Sequence, residues 1–290
     1  CVDKSLRIAG MGECVVRRVP VDGRWRMDAA ALQRMVGEDR RADLLPWMVV
    51  SCAGTTDTGA VDPLADIATI AEGEGLWNHV DAAYGGFFLL TGYGKERLSG
   101  IQAADSVVMD PHKGLFLPFG SGALLVRDER ALAAAHSYTA NYMQDTRETH
   151  AVRSPADLGP ELTRPFRGMR LWLPLKIFGL GPFRTALEEK LLLARYFHDE
   201  IDRSPGFEAG PEPELSVVTY RYVPEHGDAD AFNRQLLHAV LDDGRVFISS
   251  TLLDGKFTLR FAALHFRSHL DDADYLLSLL RREASRIAAD

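Results

Sequence analysis

The sequence predicts an α/β fold, a mostly parallel sheet with crossover helices, followed by a smaller α+β layer. Three observations carry that prediction. Short apolar runs alternate with helical runs as far as Arg127, the rhythm of βαβ units. Two of those runs end in polar motifs, His79-Val80-Asp81-Ala82-Ala83-Tyr84 and Asp110-Pro111-His112-Lys113, at the strand ends where open α/β sheets bind ligands. Beyond Leu175 the rhythm gives way to one long helix, an antiparallel strand pair and a terminal helix. The domain boundary therefore falls between a large domain of residues 1–174 and a small C-terminal domain of residues 175–290.

In chain order, Val15 to Val19 reads as a strand and Met27 to Val36 as a helix, with Asp28 placed to cap it. Trp47 to Ala53 reads as a buried strand running into a Gly54-Thr55-Thr56 turn. Asp62-Pro63 opens a helix over Leu64 to Glu72, proline being tolerated at a first helical position. Leu76 to Val80 and Ser106 to Met109 are the strands that lead into the two motifs, and Gly122 to Arg127 is a further apolar run. Pro182 to Ser204 is a long helix stopped by Pro205-Gly206. Leu215 to Val223 is a strand, Asp230 to Leu241 a helix, and Phe247 to Thr251 pairs with Phe257 to Leu264. Asp271 to Ile287 has the spacing of an amphipathic helix.

Composition narrows the function classes. A net charge of −8 argues against a general nucleic-acid surface. No apolar run approaches the length of a membrane span, so no membrane partner is expected. Three cysteines without Cys-x-x-Cys spacing give no disulfide framework and suit a reducing, cytoplasmic compartment. His265 and His269 lack the glutamate of a zinc-protease helix, and no metal site is expected there.

Asp81 and Lys113, thirty-two residues apart, are the informative pair. A carboxylate and an amine at neighbouring parallel strand ends share one crevice. Pyridoxal phosphate needs that pair: a lysine joins its aldehyde as a Schiff base, and a carboxylate keeps the ring nitrogen protonated. Read singly, Asp81 could be a helix cap and Lys113 a surface residue.

On these motifs the chain resembles the group II pyridoxal-phosphate-dependent decarboxylases, which include the aromatic-L-amino-acid, histidine and glutamate enzymes. The resemblance also draws on Val2-Asp3-Lys4-Ser5-Leu6-Arg7, Ala53-Gly54-Thr55-Thr56-Asp57-Thr58-Gly59 and Lys256-Phe257-Thr258-Leu259-Arg260-Phe261-Ala262, and extends to about Arg282. It implies the PLP-dependent transferase fold of type I. By resemblance Lys113 is the cofactor-linking lysine, Asp81 the ring-nitrogen partner and Ala83 the small residue against one ring face. Thr56 is similar to the hydroxyl that supports Asp81 from the other side. Asp110 is similar to a residue near the cofactor phosphate, and His112 to a proton carrier beside the lysine.

Tyr142 resembles the tyrosine of the family's catalytic loop, placed here at residues 138–162, which returns a proton to the substrate α-carbon. Arg260 resembles a residue that anchors the substrate; an arginine on a half-buried strand is otherwise an ion-pair partner. Arg164 and Arg167 are similar to basic residues just after that loop. The resemblance implies a homodimer acting on an amino acid, aromatic first, with glutamate or diaminobutyrate next. Aldehyde synthesis, aldol-type cleavage, amino transfer and a non-catalytic fragment stay open. The family's phosphate-cradling loop and ring-stacking histidine lie upstream of Cys1, so an N-terminally truncated portion of a longer enzyme is expected.

Overall fold

The computed structural model describes residues 1–137 and 154–289. Helix α1, Val2–Ile8, is followed by an irregular segment that includes Val15 to Val19. The strand expected at Val15 to Val19 is not formed. Its β-branched residues find no partner strand, and Arg17 instead holds the segment to Asp39 at 2.8 Å. An isolated bridge, Val21 to Met27, closes the turn that follows.

Helix α2, Ala29–Arg41, starts where expected, with the Asp28 carboxylate accepting from the Ala31 amide at 3.0 Å. It buries Leu32 and Val36 against Ile67 and Ala71 of helix α3, Leu64–Glu74. Gly75 ends α3 at φ 64°, the left-handed cap that glycine adopts without a Cβ clash. Asp62 does not cap α3. It is buried and accepts from the amides of Met27 and Cys52, each at 2.7 Å, so it joins the α2 entry to the first strand.

The large-domain sheet has the order β1-β2-β3-β4: Met48–Cys52, Trp77–Asp81, Ser106–Met109 and Ala123–Val126. The first two pairings are parallel and the last is antiparallel. Helix α4, Gly92–Arg97, lies between β2 and β3, a single helical turn α5, Pro111–Gly114, follows β3, and α6, Glu129–His136, follows β4. One sheet face, with Val49, Ser51, Asn78 and Val80, is buried; the opposite face carries His79 and Asp81, which are only half-buried.

Helix α7, Met169–Phe178, spans the position drawn as the domain boundary. The long helix α8, Gly181–Asp202, then serves two cores. Its Leu187 and Leu191 pack with Ala53, Val80 and Phe88 of the large domain, whereas Ala194, Phe197 and Ile201 pack into the small one. The small sheet, β5-β6-β8-β7, is wholly antiparallel: Phe207–Ala209, Val217–Tyr222, Lys256–Ala262 and Ser249–Leu253. Helices α9, Ala229–Asp243, and α10, Leu270–Ala289, complete that core through Leu236, Leu276 and Leu280.

Candidate active site at the sheet crest

The expected parallel neighbours are neighbours: Asp81 of β2 stands opposite Val108 of β3. Past the strand ends the two motifs stay zipped by backbone bonds. The Ala82 amide donates to Val108 at 3.0 Å and the Asp110 amide to Ala83 at 3.1 Å. Asp81 Oδ1 accepts from the Ala83 amide at 3.1 Å, which fixes its side chain over the turn. That turn admits no bulk. A Cβ on Gly85 would lie 2.0 Å from the Ala53 carbonyl oxygen, and one on Gly86 would lie 2.7 Å from Met109.

His79 shares the Asp81 face. Ser106 Oγ lies 2.8 Å from His79 Nδ1 and accepts from Trp77 Nε1 at 2.8 Å. The indole can only donate, so the Ser106 hydroxyl oxygen bridges Trp77 and the His79 ring. Burial pushes the His79 pKa down, opposed by the Asp81 charge, and so favours the neutral ring.

Lys113 lies on α5, one short turn beyond the strand that was expected to deliver it. Its Nζ is 3.1 Å from Asp110 Oδ2, and the side chain is 40% exposed, so the amine is reachable from solvent. Asp110 thus faces the lysine. His112 Nδ1 bonds to the Ser121 carbonyl. A carbonyl only accepts, so Nδ1 carries a proton, and Nε2 lies 3.9 Å from Asp110 Oδ2. The ring packs edge-on to Phe119 with centroids 5.0 Å apart. Phe116, three residues past Lys113, has φ 57°, a left-handed conformation that is strained for a bulky residue.

Thr56 is exposed on the Gly54–Gly59 turn. Its carbonyl accepts from Arg260 Nη2, and among the described residues no hydrogen bond joins its hydroxyl to Asp81. Arg260 also donates from Nε to the Asp57 carbonyl at 2.7 Å and from Nη1 to Ser249 Oγ at 2.9 Å. Burial pushes its pKa below the usual arginine value, against the charge of Asp57. A half-buried guanidinium held, among the described residues, by neutral acceptors is a site that favours an anion. Tyr142 lies outside the described residues. Arg167 pairs with Glu161 at 2.8 Å and Arg164 donates to the Pro155 carbonyl at 3.2 Å, both at the surface. His269 meets Glu189 at 2.6 Å.

Two groups that local patterns do not reveal tie the crest to the small domain. The buried Tyr84 hydroxyl lies 2.8 Å from Ser216 Oγ and accepts from the Ser216 amide at 2.8 Å. Burial pushes its pKa up to about 12. The buried Glu214 carboxylate accepts from the Val61 amide at 2.6 Å and lies within 3.8 Å of Arg26. Tyr84 was visible in its motif, but its partner lies 132 residues away.

Comparison with known proteins decides the family. The description "Pyridoxal-dependent decarboxylase conserved domain" matches residues 1–223. The chain belongs to the pyridoxal-dependent decarboxylases. The aromatic-L-amino-acid decarboxylase of Bacillus atrophaeus is 30% identical over 99% of this chain and 61% of its own length. The L-2,4-diaminobutyrate decarboxylase of Acinetobacter baumannii is 31% identical over 99% of this chain and 57% of its own. The solved Oryza sativa TDC with PLP and tryptamine superposes with a TM-score of 0.92 at 26% identity, covering 98% of this chain and 60% of that one. The chain therefore spans about three-fifths of the length of these relatives.

The donor set fits the family's cofactor, pyridoxal phosphate, at two of its ends. A carboxylate fixed over a turn suits the ring nitrogen, and a solvent-reachable amine on the adjacent turn suits the aldehyde. The phosphate end draws no donor from the Asp110 carboxylate, which faces Lys113.

Proposed function

We propose that this chain carries the cofactor-linking and proton-transfer groups of a decarboxylase that converts an L-amino acid, an aromatic one by preference, to its amine and carbon dioxide. The observation that carries the proposal is the pairing of the Asp81 and Lys113 motifs at adjacent parallel strand ends, joined by the Asp110–Ala83 backbone bond. When bound, pyridoxal phosphate supplies the electron sink into which the Cα–carboxylate bond breaks. Lys113 would hold the aldehyde end and Asp81 the protonated ring nitrogen, with Ala83 and Thr56 lining the space for the ring. Asp110 orients the lysine amine, to which it lies at 3.1 Å. His112, held by the bond of its Nδ1 to the Ser121 carbonyl, moves protons beside the lysine through Nε2. Tyr142 returns one proton to Cα in place of the lost carboxylate, and Arg260 anchors a substrate carboxylate.

The aromatic preference is supported by the Bacillus relative, and diaminobutyrate is the second substrate because the Acinetobacter relative matches as well. A homodimer in the cytoplasm belongs to the same proposal. Helix α7 supports the dimer: it buries no residue and exposes Trp172, Ile177 and Phe178. Among the described residues no helix is long and apolar enough to cross a membrane. The test is borohydride trapping with added pyridoxal phosphate, followed by peptide mapping and amine analysis. Label on the Lys113 peptide and amine release support the proposal; label spread over other lysines at the level of a Lys113→Ala variant refutes it.

A further inference from the structure

We infer that Thr251 is a positioning residue: by holding the Asp57 carboxylate it keeps that group off the Arg260 guanidinium and leaves the arginine's charge to a substrate carboxylate. The inference rests on the proposed anchoring role of Arg260 and goes beyond it, because neither Thr251 nor Asp57 belongs to the motifs that suggested that role.

Register places the groups together. Arg260 of β8 stands opposite Ser249 of β7, and Thr251 lies two residues along β7, on the same sheet face as Ser249. Arg260 gives N–H groups to the Thr56 and Asp57 carbonyls and to Ser249 Oγ, all neutral. A guanidinium has about five N–H donors, so two remain for a ligand. An anion is close by. The Asp57 backbone is pinned by Arg260, and the charge of its carboxylate acts on the arginine. Yet among the described residues no ion pair joins Asp57 to Arg260, and Asp57 Oδ1 instead accepts from the Thr251 hydroxyl at 2.9 Å.

A carboxylate bonds a guanidinium more strongly than a hydroxyl. Without Thr251 Oγ1, rotation about the Asp57 χ1 bond brings the carboxylate toward the arginine. An internal anion would then compete with substrate for the same two donors. The hydroxyl on β7 supplies the bond that opposes this rotation. The small domain thereby does two things to the Gly54–Gly59 turn: Arg260 grips its carbonyls, and Thr251 holds its carboxylate.

The test compares Thr251→Val, Thr251→Ser, Thr251→Val/Asp57→Asn and Arg260→Gln. KM and kcat for an aromatic L-amino acid are measured with pyridoxal phosphate bound. The rate of phenylglyoxal modification of Arg260, mapped by mass spectrometry, is measured on the cofactor-free chain. The Asp57–Thr251 bond is solvent-exposed, so Thr251→Val is expected to raise KM by only about two- to fivefold, with kcat little changed. It should slow Arg260 modification as well. Thr251→Ser and the double variant should restore both. A double variant as impaired as Thr251→Val would show that the methyl-for-hydroxyl change acts through the fold, and the inference falls. Unchanged KM and modification in Thr251→Val also overturn it. An unchanged KM in Arg260→Gln overturns the anchoring role itself, whereas a raised KM there with Thr251→Val silent overturns only the role of Thr251.

Discussion

Replacing Tyr84 by phenylalanine removes one oxygen that serves two buried groups of Ser216, 132 residues away. The Tyr84 hydroxyl accepts from the Ser216 amide and bonds Ser216 Oγ, both at 2.8 Å, and Ser216 is fully buried. The substitution keeps the ring and its edge-on contact with Phe88 at 5.7 Å, so the loss is polar rather than steric. An unsatisfied buried donor costs about 1–3 kcal/mol, and with the hydroxyl partner also lost the total is about 2–3 kcal/mol. That is a fall of roughly thirty- to a hundred-and-sixtyfold in the folded-to-unfolded ratio at pH 7.

The same residue fixes a pH dependence. The phenol pKa is pushed from 10.0 up to about 12 by burial, so the folded state holds its proton more tightly than the unfolded chain does. Stability from this group is therefore complete below about pH 10 and is lost as pH rises toward 12. Two pKa units correspond to about 3 kcal/mol. Wild type and Tyr84→Phe should therefore differ by about 2–3 kcal/mol at pH 7 and converge near pH 12. Urea melts at pH 7, 9, 10.5 and 11.5, followed by circular dichroism, measure both effects. A difference that stays constant across that range, or a pH 7 loss below about 0.5 kcal/mol, would refute the reasoning.

Other substitutions give equally direct outcomes. Gly85→Ala places a Cβ 2.0 Å from the Ala53 carbonyl, and a loss of about 3 kcal/mol or more, or failure to fold, is expected in a denaturant melt. Gly37→Ala, in the middle of α2 with nothing within 4 Å of the new methyl, should instead stabilise by about 0.5–1 kcal/mol in the same assay. Leu187→Ala, at a fully buried position of α8, should cost about 2–5 kcal/mol and expose the crest side of the molecule first, read as faster amide exchange in β2 than in β6.

Much of the crest was legible locally. Asp28 capped its helix, and the runs before Asp81 and Asp110 became adjacent parallel strands. Each of these depends on neighbours within a few residues, where periodicity and turn chemistry act. Val15 to Val19 shows the limit of that logic. Its composition suits a strand, but a strand exists only where a partner offers a ladder, and here an arginine–aspartate pair with α2 holds the segment instead. Asp62 precedes the helix that it was read to open with Pro63, yet its carboxylate is taken by two amides that the sheet and the α2 entry bring to it.

The sequence by itself determined the alternation of strand and helix, the order of the two motifs and the residue types at the crest. Only the tertiary structure decided who meets them. Tyr84 meets Ser216 across 132 residues and Arg260 meets Thr56 across 204, and one helix divides its apolar stripe between two cores. Local preferences act through a few dihedrals and are written in adjacent side chains. Long-range partners are chosen by which surfaces close-pack once those elements exist, and no single stretch of chain records that choice.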